Sequence, residues 1–60
     1  MDINEYWENL VEAGIATDEE LKLVTAINGN NEQTLDDVLY VRTGYRNWRQ
    51  YTTYELEVDV

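Results

Sequence analysis

Sixty residues carry thirteen acidic side chains against four basic ones, a formal net charge of −9, with no Cys, His or Pro. Such a length allows one small domain, which buries only about 60% of its unfolded surface and has to draw its stability from close helix packing or association. Disulfides and zinc sites of the Cys/His type are excluded, and the absence of Ser, Cys and His leaves nucleophilic catalysis without its usual residues.

The N-terminus, Met1-Asp2-Ile3-Asn4-Glu5, has neither the basic start nor the apolar run of a signal peptide. No stretch approaches about 18 consecutive apolar residues, so no membrane span and a cytoplasmic location are expected. The charge is unevenly placed. Residues 1–41 hold ten acids and one base, Lys22; residues 42–54 hold Arg42, Arg46 and Arg49 and no acid; Glu55, Glu57 and Asp59 follow. Direct binding to a phosphate backbone is not expected of such a surface. The acidity reads either as a solubility device or as a match to a basic partner, including mimicry of nucleic acid.

The first helix is expected over about Ile3–Ala13, with Asp2 as N-cap and Ile3, Tyr6, Trp7, Leu10 and Val11 on one face. Thr17-Asp18-Glu19-Glu20 is a capping box opening a second helix to about Ile27, and its acids suit the positive end of the helix dipole. Leu21, Val24 and Ile27 supply its inward face. A third helix is expected over about Asn31–Arg42, opened by the capping pattern of Asn30 with Gln33 and ended by Thr43-Gly44. Gly14, Gly29 and Gly44 each follow a helical segment, where a left-handed residue belongs. Asn47 with Gln50 repeats the capping pattern and can open a short helix to about Thr53. Beyond it Tyr54, Leu56, Val58 and Val60 alternate with Glu55, Glu57 and Asp59, which suits a frayed acidic tail or a strand that pairs with another copy or with a partner's sheet edge.

The expected architecture is all-α: a compact three-helix core over residues 1–44, with a C-terminal helix and acidic tail over 45–60. Trp7, Leu10, Val24, Ile27, Leu35 and Val38 are the expected core.

Residues 10–40 resemble a ubiquitin-associated (UBA) domain or the wider UBA-like group. The loop Ala13-Gly14-Ile15, the pair Leu23-Val24 with Val24 ten residues after Gly14, the turn Gly29-Asn30 and the pair Val38-Leu39 fall at that group's landmarks. The resemblance implies a three-helix fold and a partner-binding surface of Ala13, Gly14 and Ile15 beside Asp36, Leu39 and Tyr40. Ala13 and Ile15 stand where the group has Met and an aromatic residue, a departure that bears on ubiquitin binding. The segment Thr43-Gly44-Tyr45-Arg46 is also similar to small proteins of bacterial mobile elements and phages.

Little else suggests chemistry. Asp36 and Asp37 are adjacent on a helix and point about 100° apart, so they cannot form an acid/base pair. Asn28-Gly29-Asn30-Asn31-Glu32 lacks the ligand spacing of a calcium loop, and there is no phosphate-binding loop. No cofactor or metal is expected. Two Trp and five Tyr, with no Phe, give every aromatic ring a polar handle, as at interfaces. Arg42, Arg46 and Arg49 interleave with Tyr45 and Trp48, either to pack within the chain, to meet a protein partner, or to stack on nucleic acid. The expected function is a non-enzymatic protein–protein interaction module whose partner carries a basic or apolar patch, with homodimerisation open. The alternative is an acidic nucleic-acid mimic that inhibits a nuclease or another DNA-processing enzyme.

Overall fold

The computed structural model describes residues 2–56. Four helices follow one another: α1 (Ile3–Glu12), α2 (Asp18–Asn28), α3 (Glu32–Thr43) and the short α4 (Trp48–Tyr51). The last runs directly into a π-helical turn, Thr52–Leu56. The fold is all-α among the described residues, a three-helix core with a C-terminal extension. The alternating segment begins inside the π-turn rather than in a strand, and its remainder, 57–60, lies outside the described residues.

Side-chain oxygens open each helix. Asp2 Oδ1 accepts from the Glu5 amide at 2.8 Å. At α2 the capping box is complete: Thr17 Oγ1 accepts from the Glu20 amide, and Glu20 Oε1 accepts from the Thr17 amide, both at 3.1 Å. The cap of α3 is Asn31 rather than Asn30, its Oδ1 accepting from the Thr34 amide and hydroxyl. Asn47 caps α4 through the Gln50 amide, while Gln50 Oε1 takes the Arg46 amide instead of that of Asn47.

The end of α1 shapes the rest of the fold. Gly14, at φ 75°, turns the chain into the left-handed region. The Gly14 amide then donates to the Val11 carbonyl and the Ile15 amide to the Leu10 carbonyl, both at 3.0 Å. This is the paired bonding of a Schellman motif, which brings the residue after the glycine onto the helix's last inward side chain. Here those residues are Ile15 and Leu10, and both are buried.

The core consists of Tyr6 and Leu10 from α1, Ile15 and Ala16 from the loop, Leu21 from α2, and Leu35 and Leu39 from α3. Helix α3 is the hub, packing on α1, α2 and α4. Two expected core residues fall elsewhere. Ile27 is 72% exposed and Val24 only half-buried. The reason is angular. Leu21, Val24 and Ile27 are spaced by three, and each step of three falls about 60° short of a full turn, so the series drifts about 120° away from Leu21. Leu10 and Leu35 are buried as expected, while Trp7 and Val38 pack against the core at its edge.

Trp48 and Tyr51 fasten the C-terminal extension to this core. Ring contacts run from Tyr6 to Trp48 (6.3 Å between centroids), Trp48 to Tyr51 (5.0 Å), Tyr51 to Tyr45 (5.9 Å) and Tyr45 to Tyr54 (6.0 Å). The Tyr45 hydroxyl bonds to Glu55 at 3.1 Å.

Leu35→Asp places an unpaired charge at a position with no exposed surface and is expected to abolish helical circular dichroism at 25 °C. Thr17→Ala removes one half of the capping box and is expected to lower the unfolding free energy in urea by about 1 kcal/mol while leaving the spectrum unchanged.

Candidate functional site

The six residues expected to form a UBA-type surface do not form one continuous exposed patch. Ala13, Gly14 and Tyr40 are exposed, but Ile15 and Leu39 are core residues at 8% and 0% exposure. The correction at Ile15 follows from the Schellman turn: the side chain closes α1 and is unavailable to a partner. Leu39 lies four residues after Leu35, within about 40° of it around α3, and so faces inward with it.

Asp36 is half-buried and engaged. The Tyr6 hydroxyl donates to its Oδ1 at 2.6 Å. Burial, the bond to Asp36 and the charges of Asp36 and Glu32 together push the Tyr6 hydroxyl far above the ordinary tyrosine range. This bond ties α1 to α3 and is a structural use of a carboxylate expected at the binding surface.

Arg42 has a similar internal role. Its Nη2 lies 2.6 Å from Glu20 Oε2, and its Nη1 donates to the Ile15 carbonyl at 3.3 Å. One guanidinium thereby joins α3, the start of α2 and the Gly14 loop. The bond from Arg42, with the Thr17 amide bond next, holds the Glu20 carboxyl below its ordinary range. Both side chains are more than 40% exposed, so the pair is worth little by itself as a charge interaction. It is the one ion pair among the described residues. Arg46 and Arg49 are exposed. Tyr6, Trp48, Tyr51, Tyr45 and Tyr54 pair with each other rather than with these guanidinium groups.

Two surfaces remain open. The first lies along α1, where Glu5, Glu8 and Glu12 are exposed. A shallow groove of about 770 Å³ there is lined by Trp7, Val11, Glu8, Glu12, Asp18, Asn4 and Asn30. The Trp7 indole donates to Asp18 Oδ1 at 2.7 Å within this lining. The second lies between α2 and α3. Val24, Val38 and Val41 line a groove of about 270 Å³, rimmed by Glu20, Asn28, Asp37 and Arg42. Ile27, 72% exposed, and Leu23, 63% exposed, widen the apolar stripe on α2, and Val41 is 77% exposed on α3.

Sequence reading missed this second surface because it assigned Val24 and Ile27 to the core. The signal was present in the spacing. Leu35, Val38 and Val41 repeat on α3 the step of three seen in Leu21, Val24 and Ile27 on α2. The third member of each series lies about 120° around from the first; Val24, Val38 and Val41 line the cleft, and Ile27 stands exposed on α2 outside that lining.

Among the described residues no three acidic side chains converge as a metal site, and no helix is long and apolar enough to cross a membrane. Tyr6→Phe tests the Tyr6–Asp36 bond. A raised tyrosine pKa contributes stability that is fully present below the unfolded value of about 10 and is lost as pH rises toward the folded one. The wild-type chain is therefore expected to lose stability above about pH 10 more steeply than Tyr6→Phe. At neutral pH the variant is expected to lose about 1 kcal/mol in urea. Tyrosinate absorbance should show one of the five tyrosines titrating only as the chain unfolds.

No known protein family, no curated protein and no solved structure matches this chain.

Proposed function

We propose that the chain is a non-enzymatic protein–protein interaction module of UBA-like kind whose contact surface is the α2–α3 cleft. The carrying observation is the stripe of Leu23, Val24, Ile27, Val38 and Val41, which stands at helical spacing and is partly or largely exposed. A single exposed aliphatic residue is ordinary on a protein surface, but a contiguous stripe on a body this small is the usual mark of a contact site. The three helices joined at Gly14 and at Gly29-Asn30 support the UBA-like part of the reading.

The nucleic-acid mimic is the second reading, and the α1 face favours it: Glu8, Glu12 and Asp18 line a groove with no cation in its lining. Local structure accounts for much of the remaining acidity. Asp2 and Glu5 sit at the start of α1, Asp18, Glu19 and Glu20 in the first turn of α2, and Glu32 in the first turn of α3. There the positive end of the helix dipole favours a carboxylate. Asp36 is bonded to Tyr6. The unexplained surplus along the first three helices is confined to Glu8, Glu12 and Asp37, a small charge array for imitating a duplex.

Partner capture with two variants separates these readings. Val41→Asp is expected to lower partner recovery at least tenfold, while a Glu5, Glu8, Glu12→Gln triple variant retains it and added salt weakens it little. Loss in the triple variant, with steep loss in salt and retention in Val41→Asp, would establish the charge-driven mimic instead.

A further inference from the structure

The chemistry of the α2–α3 cleft also narrows the class of partner. Its floor is aliphatic: Val24 from one helix, Val38 and Val41 from the other, with Leu23 and Ile27 continuing the stripe along α2. Its rim has a single cation, Arg42, which is already committed to Glu20 and the Ile15 carbonyl. What the rim offers to a newcomer is therefore the exposed carboxylate of Asp37 and the amide of Asn28. Behind it lies a chain with a formal charge of −9.

A second copy would bring an equal negative charge and the same carboxylate rim, so like charges would face each other across the contact. An acidic partner meets the same repulsion. A cleft between two packed helices suits a third helix laid along it, read through apolar side chains at positions i, i+3 or i+4, and i+7. At 11 and 12 residues, α2 and α3 are each about three turns long, which matches three such anchors.

We propose that the α2–α3 cleft docks one amphipathic helix of a partner protein, its aliphatic stripe on Val24, Ile27, Val38 and Val41 and its flanking Lys or Arg side chains facing Asp37 and the acidic body. This inference rests on the interaction reading above and names the chemistry of its partner. Binding is expected to combine an apolar contact, which persists in salt, with a basic flank that excludes acidic helices.

The test uses the isotopically labelled full chain, titrated by nuclear magnetic resonance with three synthetic peptides of about four helical turns. One presents a Leu stripe flanked by Lys. A second has the same composition in scrambled order. The third presents the Leu stripe flanked by Glu. The Lys-flanked helix should produce saturable shifts centred on Val24, Ile27, Val38 and Val41. The other two peptides should bind at least tenfold more weakly, and Val41→Asp or Ile27→Asp, both at exposed positions, should weaken the first peptide at least tenfold with a native spectrum. Equal binding of the scrambled peptide, shifts centred on Glu5, Glu8 and Glu12, or peptide-free shifts at the cleft that grow with protein concentration would each overturn the docking proposal. So would a failure of the Lys-flanked helix to bind. In that case, partner capture that still depends on Val41 would preserve the interaction reading while removing the basic helix as its partner.

Discussion

The left-handed turn at Gly14 organises the molecule. A chain of 60 residues without disulfides or Cys/His metal sites has few side chains with which to build a core, and the turn makes the loop after α1 contribute two of them, Ile15 and Ala16. The Schellman bonds satisfy the last carbonyls of α1 and set Ile15 on Leu10 in one stroke. Arg42 then bonds the Ile15 carbonyl from across the molecule, so α3 holds the turn as well as packing on the helices to either side. With Ile15 inside, the loop that a UBA-like surface would use is left with Ala13 and Gly14.

The same economy governs the charges. Acidic residues cap helices, fill their first turns and anchor Tyr6, and the one ion pair among the described residues links Arg42 to Glu20. Acid is thus used locally where it favours helix formation, and the net charge of −9 follows largely from the near-absence of bases before residue 42 rather than from a dense carboxylate array. The consequence for recognition is long-ranged. In the proposed reading a basic partner is drawn toward the whole body, while the aliphatic cleft between α2 and α3 supplies the specific contact.

Much of the fold was legible in the sequence. The three helices, the caps at Asp2, Thr17 and Asn47, and the glycine stops all rest on local chemistry that acts within four residues, and all appear in the structure. The cap of α3 shifted by one residue because Asn30 and Asn31 are chemically equivalent and only backbone direction chooses between them. The proposed binding face was less legible. Periodicity identifies an apolar stripe but not its width, and a series spaced by three leaves the core face at its third member. Ile27 therefore reads as inward by pattern and stands outward by geometry. Ile15 erred in the opposite direction: a residue just after a helix-ending glycine looks like a loop residue, although Leu10 four positions before the glycine marks it as a Schellman contact.

Two isoleucines of identical chemistry are divided between core and surface, Ile15 inside and Ile27 outside, and a paired truncation tests that division most directly. Unfolding in urea of Ile15→Ala and Ile27→Ala should separate them clearly. Ile15→Ala is expected to lose about 2–4 kcal/mol, as for a buried large-to-small change. Ile27→Ala is expected to stay within about 0.5 kcal/mol of the wild-type chain. Equal losses, or a larger loss at Ile27, would mean that α2 turns its apolar stripe inward and that no free cleft exists between α2 and α3.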